Sequence, residues 1–130
     1  MISVNFIDDI DKSTYFPFEL IDARKTKCKD VRLSFNDWDW FSETYNTDII
    51  NDYYMNGYGV QGLVLAARVA EGLEAYSDEM EPNSEGDTCY IMFSDLETAV
   101  ETAEIASKMI KDRQIIERII IVARENDLED

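Results

Sequence analysis

Residues 88–110 read TCYIMFSDLETAVETAEIASKMI and carry the clearest local signals in the chain. The first six of these residues predict a strand. The next four, Ser94-Asp95-Leu96-Glu97, fit a capping box, in which the serine and the glutamate satisfy free backbone amides of a helix reciprocally. A strand that leads directly into a capped helix indicates a fold that mixes both kinds of element.

The helix that follows the capping box has one apolar stripe and one solvated face. Its apolar residues recur at helical spacing and are Leu96, Ala99, Val100, Ala103, Ala106 and Ile110. The carboxylates of Glu97, Glu101 and Glu104 fall on a different face, which we expect to meet water. Near residues 111–113 this helix ends or bends. The last apolar segment, residues 115–123, fits either a helix or a strand.

The first third of the chain is predicted to form strands. Apolar and polar residues alternate over residues 2–6 and again over residues 31–35, as one buried face of a sheet requires. Residues 15–21 are a further candidate, and Pro17 within them favours an edge position. The lysine-rich residues 24–30 between the last two candidates predict a solvated turn.

Helices are expected in the middle of the chain. Asn36 or Asp37 is a suitable N-cap for a short aromatic helix, and residues 47–54 are predicted to form another short helical piece. The glycines of residues 56–59 interrupt the pattern. From Val60 to about residue 76, apolar side chains recur at helical spacing and predict a core helix of about four turns, in which Gly62 allows close packing on a sheet.

These elements predict a single α+β domain over residues 1–130, in which an antiparallel sheet packs against two or three helices. The polar tail, about residues 125–130, is expected to fray. The chain shows no internal repeat and no linker long enough to divide domains.

Composition excludes several classes of function. The 130 residues include 28 acidic and 12 basic side chains, a net charge of −16, which excludes conventional nucleic-acid binding and disfavours anionic membranes. The absence of histidine removes Ser-His-Asp and Cys-His catalysis and His-ligated metals. Without a signal-like N-terminus or an apolar run of membrane length, we expect a cytoplasmic protein with reduced Cys28 and Cys89, although a disulfide between them stays open.

The negative charge is concentrated in the middle of the chain. Residues 33–107 hold 16 carboxylates and one basic side chain, Arg68, whereas both flanks are nearly balanced. An acidic background shared by all proteins of a cell would be spread along the chain, so this concentration favours a basic protein partner. Two sets are candidates for binding it. They are Asp37, Trp38, Asp39, Glu43, Asp48 and Asp52, where aromatic residues are interleaved, and Glu71, Glu74, Asp78 and Glu79, the first three of which would share one helical face.

Catalytic and metal-binding patterns are missing from the sequence. It has no EF-hand spacing, no P-loop, no GxGxxG and no GxSxG. We therefore expect no enzyme, no cofactor and no metal site, with a carboxylate-based enzyme or metal protein as the least favoured alternative.

Residues 53–60, YYMNGYGV, and the segment after them resemble the immunity protein 51 family of bacterial polymorphic-toxin systems, of the contact-dependent inhibition type. The parts that correspond are Asn56-Gly57-Tyr58, the amphipathic helix after it, the acidic stretch, the strand of residues 88–93 and the helix from Ser94. The resemblance covers about residues 50–112, and Gly59 departs from the pattern, since an acidic or aromatic pair is expected there. It implies a cytoplasmic immunity protein that binds and neutralises a cognate toxin domain, a basic nuclease, without contacting nucleic acid or membrane itself. The alternative is an acidic adaptor or nucleic-acid mimic that sequesters a basic host factor.

Overall fold

The computed structural model describes residues 4–129 and contains four helices and seven short strands among them. In chain order these elements are β1 (Ile10–Asp11), β2 (Glu19–Ala23), β3 (Asp30–Phe35), α1 (Trp38–Tyr45), β4 (Ile49–Ile50), β5 (Tyr53–Tyr54), α2 (Gly57–Ala70), β6 (Met80–Pro82), β7 (Cys89–Phe93), α3 (Leu96–Ile110) and α4 (Arg113–Glu125). The α+β class predicted from the sequence is confirmed.

Five strands form one antiparallel sheet in the order β1-β2-β3-β7-β6. The central strand, β3, pairs with β7, and Leu33 lies opposite Ile91. Both strands alternate buried and half-buried residues, so one face of the sheet is apolar, as the alternation over residues 31–35 and the strand predicted for residues 88–93 require. Helices α2 and α3 cover this face, and α4 packs on those two helices.

Helix α2 lies at the centre of the domain, and ten of its 14 residues are buried. It begins three residues before Val60, with Asn56 as its N-cap, and ends at Ala70, earlier than the predicted end near residue 76. Its glycines allow backbone to approach backbone. A Cβ on Gly57 would collide with the carbonyl oxygens of Glu85 and Thr88, and one on Gly62 would collide with the carbonyl oxygen of Leu128, so Gly62 packs on the C-terminal segment and not on the sheet.

The predicted helical piece over residues 47–54 is wrong, because this segment is the hairpin β4–β5. Ile50 pairs with Tyr53, and the two residues between them, Asn51 and Asp52, both have positive φ. Such angles suit the two-residue hairpin turn whose twist matches that of its strands, and Asn and Asp tolerate them better than most residues. The buried ring of Tyr53 then carries a hydroxyl that donates to the Gly59 carbonyl at 2.6 Å.

The cap of α3 also differs from the prediction. Asp95, not Ser94, is the N-cap, and its carboxylate accepts from the Thr98 amide at 3.3 Å. The Ser94 amide donates to the Glu79 carbonyl at 2.8 Å, which keeps Ser94 in line with the sheet and delays the helix by one residue. At the first helix, Asp37 is the N-cap, one of the two residues that the sequence favoured.

The N-terminal strands are shorter than the alternation predicts. Residues 2 and 3 lie outside the described part of the chain, and residues 4–6 form no strand, although Val4 and Phe6 pack against the core. Only residues 19–21 of the candidate strand 15–21 belong to β2, because the chain turns through residues 13–17 before it. The basic residues 24–29 turn between β2 and β3, as predicted.

The C-terminal segment is helical and its described end is anchored. The ambiguous residues 115–123 lie within α4, where Ile116, Ile119 and Ile120 are buried at helical spacing and Ile121 is exposed. After the helix, the Leu128 amide donates to the Ala123 carbonyl at 2.8 Å, and the Glu129 carboxylate pairs with Arg124 at 2.9 Å. These two contacts join residues 128 and 129 to α4.

The two cysteines do not pair with each other. Cys28 is exposed in the β2–β3 turn, whereas Cys89 is buried in β7. Burial raises the pKa of the Cys89 thiol to about 12, against a lowering contribution from Ser84, so this thiol stays protonated at neutral pH and serves as core packing.

Asp11 is fully buried and organises the N-terminal segment. Its carboxylate accepts hydrogen bonds from the backbone amides of Asn5 at 2.8 Å, Ser13 at 3.1 Å and Thr14 at 3.0 Å. Burial raises the pKa of Asp11, but the hydrogen bonds from these three residues outweigh it, and the pKa lies below its ordinary value of 3.8. The ionised form is therefore the one that stabilises the fold.

Changing Gly57→Ala is expected to destabilise the domain by roughly 1–3 kcal/mol or more, because the new methyl group meets two backbone carbonyls that have no room to move. Gly86→Ala is the control, since a Cβ there meets nothing within 4 Å. Urea denaturation followed by circular dichroism measures both. Equal midpoints for the two variants would contradict the close approach of α2.

Changing Asp11→Asn is expected to cost about 1–3 kcal/mol at pH 7, because one amide loses its acceptor. A carboxyl group with a lowered folded pKa stabilises above its unfolded pKa, and this contribution disappears as the pH falls through the folded pKa. The gap between the variant and the wild type should thus narrow below about pH 4. Asp9→Asn, at an exposed position, removes the same charge and is the matched control in urea titrations between pH 7 and pH 2. A gap that stays constant over this range would rule out the charge of Asp11 as its cause.

Candidate functional site

The surface contributed by residues 33–107 is almost uniformly negative. Of its 16 carboxylates, 15 are exposed and Asp37 is half-buried. The single basic side chain of this segment, Arg68, is only 3% exposed. This segment therefore contributes no exposed cation of its own, and from outside it the exposed Lys108 pairs with Glu104.

Arg68 has an internal role. Its Nε donates to the Glu74 carbonyl at 2.9 Å, and one terminal nitrogen donates to the Thr102 hydroxyl at 2.7 Å. The Glu101 carboxylate lies 3.7 Å away at the surface. Burial lowers the pKa of Arg68, while Glu101 and Glu74 partly compensate. Arg68 thus connects the loop after α2 to α3 and also pairs with Glu101 at the surface.

The first predicted set is spread over α1 and the hairpin. Asp37 caps α1, and Trp38 packs edge-on against Phe35 with its indole N–H bonded to the Asp87 carbonyl at 2.8 Å, so both have structural roles. The others are exposed at successive positions on α1, in the loop after it and in the hairpin turn: Asp39, Glu43, Asp48 and Asp52.

A groove of about 280 Å³ between α1 and the hairpin brings two residues of the first set together. Trp38 and Asp48 line it with Tyr54 and Asp87. We call this the α1–hairpin groove. An exposed tyrosine and two carboxylates beside an indole form a mixed aromatic and acidic surface, the composition that suits contact with a basic protein.

The second predicted set does not share a helical face. Helix α2 ends at Ala70, Glu71 is its C-cap, and the other members lie in the loop that follows: Glu74, Asp78 and Glu79. The positive φ of Gly72 and the hydrogen bond from the Leu73 amide to the Arg68 carbonyl terminate the helix there, a helix-ending pattern that glycine favours. All four carboxylates are exposed, and of these four only Glu71 borders the groove described next.

A groove of about 540 Å³ runs between α2, α3 and α4, and we call it the three-helix groove. Its floor is aliphatic. Val100, Ile105 and Met109 contribute from α3, and Ile115 and Ile119 contribute from α4. Ala67 and Ala70 of α2 close the third side.

Acidic side chains form the rim of the three-helix groove: Glu71, Glu97, Glu101 and Glu104. Lys108 is the one cation on the rim among the described residues, and it pairs with Glu104 at 3.1 Å. Sequence reasoning assigned the three α3 glutamates to a solvated face but did not connect them with a groove. The available signal was Ile105 and Met109, two apolar residues that lie outside the predicted stripe and next to that acidic face.

Metal-ligand clusters and membrane-spanning helices are absent from the described residues. Among residues 4–129, no group of three or more acidic or cysteine side chains is close enough together to hold a metal ion. No helix in the same part of the chain has the length and apolarity needed to cross a membrane. Every buried side-chain nitrogen or oxygen among those residues has a hydrogen-bond partner. No buried polar atom of this part of the chain is therefore left unpaired in a groove.

Comparison of the chain with models of protein families, with curated proteins and with solved structures finds no match. The resemblance to the immunity protein 51 family therefore rests on the residues quoted for it.

Changing Thr102→Val is expected to destabilise the domain by about 1–3 kcal/mol, because the buried guanidinium of Arg68 loses a neutral acceptor without any change of shape. Glu101→Gln should cost less than about 1 kcal/mol, since that carboxylate is exposed and more distant. Urea denaturation of the two variants gives the ranking. The reverse order would show that the ion pair, and not the hydroxyl, holds Arg68.

Proposed function

We propose that this chain is an immunity protein that binds a cognate bacterial toxin domain, a basic nuclease, and neutralises it by stoichiometric inhibition. The observation that carries the proposal is the exposure of 15 carboxylates over residues 33–107 with the one cation of that segment buried. Solubility needs a net charge of about 2–8 for a small domain, and self-repulsion beyond it costs stability. A binding role explains why the excess is kept on one stretch of chain.

The inhibitory step is competition for a basic surface. A nuclease needs clustered Lys and Arg side chains to hold phosphates, and an acidic protein that occupies them excludes the nucleic acid. Opposite charges also raise the association rate by about 10–10³-fold, which favours capture of a toxin before it acts. No covalent chemistry is required of the inhibitor, so the proposed protein is not an enzyme and needs no cofactor.

The proposal places the protein in the cytoplasm, where its toxin would reach nucleic acid. The resemblance over residues 50–112 supports the same assignment. The alternative of an acidic adaptor or nucleic-acid mimic draws on the same charge, and growth rescue separates the two, because only an immunity protein protects against one specific toxin.

Coproduction of this chain with the C-terminal domain of the large toxin encoded directly upstream is expected to restore growth that the domain alone prevents. Titration calorimetry of the purified pair should give one-to-one binding that weakens steeply with salt, because the interface is charged. Growth that stays blocked, with no binding at low salt, would reject the immunity function and favour the adaptor.

Charge-reversal variants test whether the acidic residues of α1 take part in toxin binding. Asp39→Lys with Glu43→Lys should lower the association rate by roughly tenfold at low salt while the dissociation rate changes less. Glu117→Lys with Glu125→Lys makes the same change of net charge on α4 and should have a smaller effect. Equal effects of both double variants would point to net charge alone.

A further inference from the structure

The three-helix groove combines two properties that call for one kind of ligand. Its floor is aliphatic, and its rim carries four glutamates and one lysine. Lys108 pairs with Glu104 at 3.1 Å, and the buried Arg68 lies 3.7 Å from Glu101, so the rim keeps a net negative charge. An apolar floor with an acidic rim is complementary to a ligand that has an apolar stripe between basic side chains.

The spacing along α3 sets the shape of that ligand. Glu97, Glu101 and Glu104 lie three and four residues apart, so one carboxylate stands on each turn beside the floor. From Glu97 to Met109 the lining spans about 18 Å of helix. A second helix of about three turns, with apolar residues at i, i+3 or i+4 and i+7, matches this length and presents its Lys or Arg side chains at the same interval.

Other ligand classes fit less well. Nucleic acid and other anions meet four carboxylates at the rim. A bare divalent cation needs clustered ligands, and no acidic cluster of that kind occurs among residues 4–129. An extended polar peptide leaves the floor of Val100, Ile105 and Ile119 unfilled.

We infer that the three-helix groove binds a basic amphipathic α-helix of the partner, with its apolar stripe on the α3–α4 floor and its Lys or Arg side chains against Glu71, Glu97, Glu101 and Glu104. The inference rests on the proposed function in that the helix then belongs to the toxin. It places the main anchoring contact on α3, away from the first of the two predicted sets, and includes Glu71 of the second.

The test uses the full chain and a fluorescein-labelled 14-residue helical peptide of leucine and lysine in the amphipathic order. Fluorescence anisotropy should show binding of this peptide. A peptide of the same composition in scrambled order, and one with glutamine in place of leucine, should bind at least roughly tenfold more weakly, because each lacks the apolar stripe. Equal binding of all three would overturn the inference, since charge alone would then explain it.

Variants locate the site. Glu97→Lys with Glu104→Lys should weaken binding of the amphipathic peptide roughly tenfold or more, whereas Glu81→Lys with Glu85→Lys, an equal change of charge at exposed positions outside the groove, should weaken it less than threefold. Equal losses in the two double variants would overturn the inference. Urea denaturation checks that both remain folded.

Nuclear magnetic resonance of the wild-type chain locates the peptide without any substitution that could affect folding. Addition of the peptide should shift the amide signals of residues 97–109 and 115–119. Shifts confined to α1 and the hairpin would overturn the inference. Sedimentation of the free chain should show a monomer, and a dimer that the peptide dissociates would instead assign the groove to a second copy.

These outcomes are separate from those of the growth assay. Peptide binding in the groove with no growth rescue would support the groove as a helix-binding site and reject the immunity function. Rescue by Glu97→Lys with Glu104→Lys at wild-type level, with no peptide binding, would reject the groove alone.

Discussion

The close backbone approach around the first half of α2 is the constraint on which the rest of the fold depends. Gly57, Gly59 and Gly62 lie against the loop before β7, the hairpin and the C-terminal segment, where any side chain would collide with a carbonyl oxygen. Because three separate parts of the chain meet α2 at these glycines, the helix is buried on nearly every side. It then presents its remaining surface to β7, α3 and α4, and so connects the sheet to the two other helices of the three-helix groove.

This arrangement also determines where charge can lie. The core is built almost entirely from apolar side chains, and 15 of the 16 carboxylates between residues 33 and 107 are exposed. Arg68 is the one basic side chain of this segment. It is buried and donates hydrogen bonds to Glu74 and Thr102, so its role is structural. A polar group inside the core contributes to structure, and the outer surface keeps an unbalanced negative potential that is available for a partner.

Much of the secondary structure followed from local pattern, and the errors have physical causes. Alternation over residues 31–35 and the apolar period after residue 60 depend on burial of one face, so they predicted β3 and the presence of the core helix, whose end at Ala70 comes earlier than the pattern indicated. The hairpin β4–β5 was missed because a strand of two residues is too short to show an alternating pattern of apolar and polar residues. The only sequence signal of its turn was the pair Asn51-Asp52, residue types that tolerate positive φ. The α3 cap moved by one residue because Ser94 bonds to Glu79, a contact between distant parts of the chain.

The sequence by itself determined the α+β class, the acidic middle segment and the absence of histidine chemistry, because composition and period are properties of the chain before it folds. It also determined that Glu97, Glu101 and Glu104 share one face of a helix. Only the tertiary structure decided that this face borders an aliphatic groove, since Ile115 and Ile119 reach it from α4 and Ala67 from α2. The groove forms between helices that are separated in sequence. Their packing brings its apolar floor next to its acidic rim, and no local sequence pattern encodes that packing.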